Sequence, residues 1–583
     1  MTIVRTVTLL LTAFLAACAQ QPLQQGGAQS DGGARPAAAR PRVVAQPPAS
    51  NPVLPKLELS QPILFRLLLA DIALQRGQFN VAVQSYLELA RETRDPRIAE
   101  RATKSAWNAR FVGAAIEAAG IWLAADPGSQ EARQALGLLL INQSRLADAL
   151  PHLEKSFAAD KENAGQSFLQ LNALLARHPD KAGALVLTQD LAKPYPALPE
   201  ARLSIAQAAF GAGQAALALA EVREALRLRP DWELAALFQG GLLQQKSVGE
   251  AVAYYQDFLK RYPRSMEVRL TYARLLVGEK KYPEARGEFQ ALLKEFPDNP
   301  EVSLAVGLLS LQVSDFDTAE TQLRRTLENN YKDPDAVRFY LGQASEERKR
   351  FDEALQWYGS VAGGDQFVAS RARYAGVLLK QGKLAEARSY LQGATRNAPE
   401  RLQFIQVEAQ LLREANDFRG AFDVLGRAVE ANPNSTELLY DYAMVAEKID
   451  RIEVLETSLR KVIQIKPDHA HAYNALGYTL ADRNQRLQES YTLIEQALKL
   501  APEDPFIIDS MGWVLYRMNQ NDAALTFLKR AYELRADAEI AAHYGEVLWV
   551  SGQQEEARKV WSGALKQSPA NELLLATVKK FSP

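Results

Sequence analysis

The sequence predicts an all-α chain, a solenoid of repeated helical hairpins, and three observations predict it. The first is a small residue that returns about every 34 positions. It falls at Ala82, Ala115, Ala149, Ala184, Ala218, Ala251, Ala285, Ala319, Ala354, Ala387 and Ala421, then at Leu455 and Ser490, then at Ala524 and Ala557. Thirteen of these fifteen positions are alanine and every step is 33, 34 or 35 residues, which chance does not produce. The second is a small residue twelve positions earlier, at Ala70, Gly137, Ala206, Ala273, Gly307, Gly342, Ala375, Ala409, Ala443, Gly512 and Gly545. The third is a proline twelve positions later, as at Pro127, Pro230, Pro297, Pro433 and Pro502. Antiparallel helices approach closely only where the side chains at their crossing are small. Proline cannot continue the second helix, so it closes the unit.

Before the repeats come two other segments. Arg5 and the short apolar run from Val7 to Leu15 are too short for a membrane span. The run ends in Leu15-Ala16-Ala17-Cys18, which resembles the bacterial lipoprotein signal, in which cleavage precedes a cysteine that is then acylated. On that resemblance residues 1–17 are a signal peptide, and Cys18, the single cysteine of the chain, is the lipid attachment. Several acyl chains on one residue anchor stably, where one chain alone is marginal. By resemblance to Gram-negative lipoproteins, Ala19 rather than aspartate after the cysteine implies sorting to the outer membrane, facing the periplasm. Residues 18–58 read as a disordered tether rich in Pro, Gln and Ala, with Pro36, Pro41, Pro47, Pro48, Pro52 and Pro55. About 40 such residues span roughly 35 Å as a coil.

Residues 59–569 then hold about fifteen repeats. A period near 34 made of helical pairs is the mark of the tetratricopeptide repeat. The runs Tyr473-Asn474-Ala475-Leu476-Gly477-Tyr478 and Met511-Gly512-Trp513-Val514-Leu515-Tyr516 come close to its pattern. The chain thus resembles tetratricopeptide repeat proteins over roughly residues 60 to 570, which implies a right-handed superhelix of hairpins. The units around Ala115, Ala149 and Ala184 have weak first helices, tolerable where each unit is held by its neighbours. Residues 570–583, with Leu573, Leu574, Leu575 and Val578, read as a capping helix over the open end.

Composition and motifs exclude several functions. A formal charge of −1 with both signs mixed offers no basic stripe for nucleic acid. No run after the first reaches the ~18 apolar residues a membrane span needs. Of the five histidines, His469 and His471 are two apart, which does not place them on one helix face as a metal pair requires. The sequence has no zinc-protease motif, Walker loop or nucleophile elbow. Neither a cofactor nor a metal is expected, and the chain reads as a non-enzyme.

What remains is binding. In a tetratricopeptide solenoid the first helix of each pair lines the concave groove. The repeat phase places Asn474, Tyr478, Asp509, Trp513, Tyr516, Arg517, Glu546 and Trp549 toward it. Aromatic residues with Arg and Asn are common interface anchors, and the alternative for Trp513 and Tyr516 is packing between neighbouring helices. At the other end Leu57, Leu59, Ile63, Leu64, Phe65, Leu67, Leu68 and Leu69 give more apolar surface than a first helix needs for its own packing.

The order of lipid signal, Pro/Gln tether and repeats to the end resembles the large outer-membrane tetratricopeptide lipoproteins of proteobacteria that partner a carboxyl-terminal processing protease. The runs from Ala472 to Tyr478 and from Ile540 to Trp549 carry the likeness too. The resemblance implies an adaptor that recruits and activates a periplasmic serine protease, helping it degrade peptidoglycan hydrolases. The competing reading is a scaffold for another envelope machine, such as polysaccharide export, pilus assembly or outer-membrane biogenesis.

Overall fold

The computed structural model describes residues 54–394 and 397–581. Cys18, the signal peptide and almost all of the tether lie outside the described residues. Those described form 31 α-helices and no strand, the all-α repeat fold that the period predicts. The helices run as fifteen pairs, from Gln61–Gln75 with Phe79–Thr93 to Ala538–Val550 with Gln554–Gln567, followed by Glu572–Phe581. No helix among them is long and apolar enough to cross a membrane.

The first helix of a pair starts where the local chemistry tells it to. Asp95, Asn299, Asp333 and Asp504 cap the helices Pro96–Asn108, Pro300–Gln312, Pro334–Glu347 and Pro505–Arg517 with side-chain oxygens on the first free N–H groups. Each is followed by proline at the first helical position, where a missing N–H costs nothing. The turn into the second helix is as regular. Gly77 takes φ +71°, and Gln78 N–H reaches back to Ala73 O (2.8 Å) while Gly77 N–H bonds Leu74 O (3.1 Å). This is the Schellman closure, which satisfies the last carbonyls of the first helix. Gly213, Gly382 and Gly552 repeat it, and so do Arg110, Ser144, Lys280, Ser314, Lys349, Asn416, Asp450, Asn484 and Asn519, all with positive φ.

The periodic small residues lie where the pairs cross. All fifteen, including Leu455 and Ser490, are 3% exposed or less. Their partners on the first helix are as constrained: a Cβ on Gly512 would stand 2.5 Å from Leu528 Cγ and 3.2 Å from Ala524 O. In two pairs the close approach is taken by a glycine one position off that spacing. In the pair around Ser490 the close approach falls on Gly477, beneath Ile494, and not on Tyr478 twelve positions earlier. In the pair around Ala251 it falls on Gly240, beneath Tyr255. The turns are the cause. Arg483 to Arg486 is one residue longer than the usual three, and Ser247 alone separates Glu233–Lys246 from Val248–Arg261.

The chain divides into two compact units, one reaching to Thr318 and the other starting at Ala319. In the first, a continuous core runs from Val83 through Leu140, Phe168 and Leu191 to Ala218, so successive pairs bury each other's apolar faces. In the second, separate clusters follow one another from Phe367 to Ala564, the last closed by Leu574 of the final helix.

Candidate functional site

Two regions hold the residues that the sequence singles out. At the start of the first unit, Gln61–Gln75 is apolar nearly all round. Ala70 and Ala73 are buried against the following helix, but Leu64, Phe65, Leu68, Leu69 and Ile72 stay exposed, Phe65 at 64%. Leu57 and Leu59 before it are exposed as well. The two charges of the helix are occupied: Arg66 pairs with Glu92 (2.5 Å), and Asp71 takes the Tyr86 hydroxyl and Arg101. An apolar face without free charge, on an end helix with no earlier repeat among the described residues, has the character of an interaction surface.

The second region is the face made by the first helices Ala470–Asp482, Pro505–Arg517 and Ala538–Val550 of the last three pairs. Here the structure draws several of the chosen residues into one cluster. His543 Nδ1–H donates to Asp509 Oδ2 across 2.8 Å. The imidazole stacks on Trp513, centroids 4.2 Å apart and planes 24° apart. Tyr478 brings its hydroxyl to 3.4 Å from His543 Nε2 across two repeats. Trp513 in turn contacts Tyr516 at 5.3 Å and lies under the Arg517 guanidinium at 5.8 Å. Arg517 donates to the carbonyls of Ala481 (3.2 Å) and Asp482 (3.1 Å), tying its helix to the preceding one. Tyr516 donates to Glu546 Oε1, which also accepts Lys580 of the final helix at 3.1 Å.

Burial sorts these residues. Asp509, Trp513, His543 and Glu546 are buried, whereas Asn474, Tyr478, Tyr516, Arg517 and Trp549 are half-buried along the face. Trp549 stands apart, against Trp561 (5.7 Å) and Phe581 (6.4 Å), with the Arg558 guanidinium over it. Burial alone would push the His543 imidazole down; the Asp509 carboxylate, with Asp482 and Glu546 behind it, outweighs that and holds it above 6.5. Burial pushes the Tyr478 hydroxyl far up, and burial with Glu546 raises that of Tyr516.

His543 and Lys580 are members of this cluster that sequence reasoning passed over. Their signal was present: His543 follows Asp509 by 34 residues and Lys580 follows Glu546 by 34. One full period puts two side chains at equivalent places on successive repeats, within reach of each other. Among the described residues no group of three or more His, Cys, Asp or Glu stands ready to hold a metal ion.

Paired helices at this period, with a small-residue crossing in every pair, define a tetratricopeptide repeat scaffold, a fold whose ordinary work is to bind proteins. Tetratricopeptide repeat models match residues 242–309, 304–367 and 510–572. The chain is 35% identical over 497 residues to the TPR repeat-containing protein PA4667 of Pseudomonas aeruginosa, covering 84% of this chain and 82% of that one. It belongs to the tetratricopeptide repeat family and to the same family as that protein. Similar solved structures include Naa15/Naa10 bound to HypK-THB, at 16% identity and TM-score 0.37 over 71% of this chain and 70% of that one. Another is TTC0263, a thermophilic TPR protein of Thermus thermophilus, at 21% identity and TM-score 0.28 over 29% of this chain and 94% of that one.

Proposed function

We propose that this chain is a lipid-anchored adaptor of the outer membrane that faces the periplasm. It binds and activates a carboxyl-terminal processing protease, so that envelope proteins such as peptidoglycan hydrolases are degraded. The observation that carries the reading is the exposed apolar face of Gln61–Gln75, with both its charges already paired. Such a face suits the apolar surface of a folded protein. The repeats supply the scaffold, and the resemblance of the first 18 residues to a lipoprotein signal supplies the anchor. Holding protease and substrate on one body raises their effective concentration without adding a catalytic group.

Purified protein mixed with the carboxyl-terminal processing protease of its own organism is expected to co-elute with it and to raise the rate of substrate cleavage. It is expected to cleave nothing alone. Changing Leu64, Phe65 and Leu68 together to serine should abolish co-elution while the helical circular dichroism signal stays. Cys18→Ser should leave the protein unacylated and free of the membrane fraction. A protein that neither binds nor stimulates the protease would instead favour a scaffold for another envelope machine, and affinity capture from envelope extract would identify its partners.

A further inference from the structure

The buried imidazole of His543 has no part in the adaptor reading, yet it joins three helices of the last repeats. Its contacts come from three successive first helices: Tyr478 from Ala470–Asp482, Asp509 and Trp513 from Pro505–Arg517, and its own Ala538–Val550. His543, Asp509 and Trp513 are each 5% exposed. A tyrosine hydroxyl both donates and accepts. When the imidazole is protonated, Nε2–H donates to the Tyr478 oxygen. When it is neutral, the same nitrogen accepts the Tyr478 O–H. Nε2 therefore keeps its partner in both states.

Asp509 does not fare equally in both. Against an imidazolium its carboxylate is half of a neutralised pair; against a neutral imidazole it is a lone buried charge. Its Oδ1 has no hydrogen-bond partner among the described residues, so nothing else makes up the loss. The stack on Trp513 changes in the same direction, since a cation on the indole face gains what a neutral ring does not. The other charged groups facing the imidazole are Asp482, at the end of Ala470–Asp482, and Glu546 from its own helix. Arg517 lies over the Trp513 ring with its donors on backbone carbonyls, and Lys580 reaches in from the final helix to Glu546. Three carboxylates against two cations leave the surroundings negative, which favours the proton.

We propose that His543 is a proton-operated latch: protonated, it locks together the first helices of the last three repeats, and on losing its proton it loosens the face they form. A histidine held above 6.5 in the folded chain contributes stability that is fully present below 6.5 and fades as pH rises through the folded value. The latch is closed in acid and opens toward alkali.

The test uses the full chain with histidine labelled at the ring carbon, followed by NMR from about pH 5 to 9, a range that brackets the ordinary histidine value. His152, His178, His469 and His471 are replaced one at a time to assign the His543 signal by elimination, which leaves the latch itself untouched. The expected result is a single His543 titration with its midpoint above 6.5. Hydrogen exchange, corrected for its intrinsic pH dependence, should show protection of Pro505–Arg517 and Ala538–Val550 falling with that midpoint, while Gln130–Asn142 is unmoved. Asp509→Asn should lower the midpoint, because only Asp482 and Glu546 then oppose burial. A His543 signal that does not titrate in this range, or that titrates with no change in exchange, overturns the proposal. Should Asp509→Asn fail to fold, the unmodified chain still decides between these outcomes.

Discussion

Side-chain size is the commonest constraint in this chain, and it acts at single atoms. Ala421 is fully buried where its helix crosses Ala398–Glu414, whereas Arg427 on the same helix faces solvent. Ala421→Phe is expected to cost roughly 1–3 kcal/mol by overpacking the crossing. Arg427→Phe should stay within about 0.5 kcal/mol. Equal shifts in a urea melt would sink the assignment of the crossing. A second constraint is backbone sign. Lys349 holds φ +59° at the Schellman turn, where a Cβ costs roughly 1–2 kcal/mol. Lys349→Gly should therefore stabilise the second unit by about 0.5 kcal/mol once the extra chain entropy of glycine is subtracted. Lys349→Val should destabilise it, and the same melt reads both.

Whole helices are held by groups that the 34-residue pattern does not announce. Helix Phe351–Gly359 is only nine residues long, and Arg371 of the next first helix takes over its end. The guanidinium donates to the carbonyls of Tyr358 (3.3 Å), Gly359 (3.1 Å) and Val361 (2.8 Å), and meets the Tyr390 hydroxyl as well. Arg371→Lys keeps the charge but not the planar fork. It is expected to lower stability by about 1.5–3 kcal/mol, with exchange rising first in residues 351–366. On the outer helices Glu456 accepts from Arg486 and Arg460, which holds its carboxyl down to about 2. A depressed carboxyl stabilises above its ordinary value of 4.5 and stops doing so as pH falls through 2. Acid unfolding of the second unit should therefore steepen between those values, and Glu456→Gln should flatten that part of the curve.

The elements also show why some of the molecule was readable from its residues and some was not. Ala218 or Ala524 is periodic because a close crossing tolerates little else, so the constraint is local and leaves a mark at most repeats. Gly477 escaped the spacing rule because one added residue between Arg483 and Arg486 shifts the register by one. The packing of Trp513 escaped it for another reason. Whether an indole lies open in a groove or stacked on His543 depends on how sharply neighbouring repeats approach. The Tyr478 to His543 contact spans 65 residues, and no local pattern encodes it. The exposed face of Gln61–Gln75 was readable because a helix apolar nearly all round has more apolar surface than its neighbours among the described residues cover.

At the scale of the molecule the same interval ties repeat to repeat. Ser144 meets His178, Glu346 meets Lys380, Asp509 meets His543 and Glu546 meets Lys580, each pair 34 residues apart. Contacts of one period mean that each repeat leans on its neighbours, so stability is passed along the chain and an end needs closing. The final helix Glu572–Phe581 packs on the last pair of the second unit. It buries Leu574 completely, sets Phe581 6.3 Å from Trp561, and sends Lys580 to the buried Glu546. Deleting residues 572–583 uncovers that apolar surface and leaves Glu546 without its cation. The cost should reach at least about 2 kcal/mol from the leucine and phenylalanine alone. Hydrogen exchange should rise through Ala538–Gln567 and then, more weakly, through Pro505–Leu534, while the helices up to Glu295 keep their protection. Uniform loss across both units would mean that the chain unfolds as one cooperative block, and unchanged exchange would mean that the last helix closes nothing.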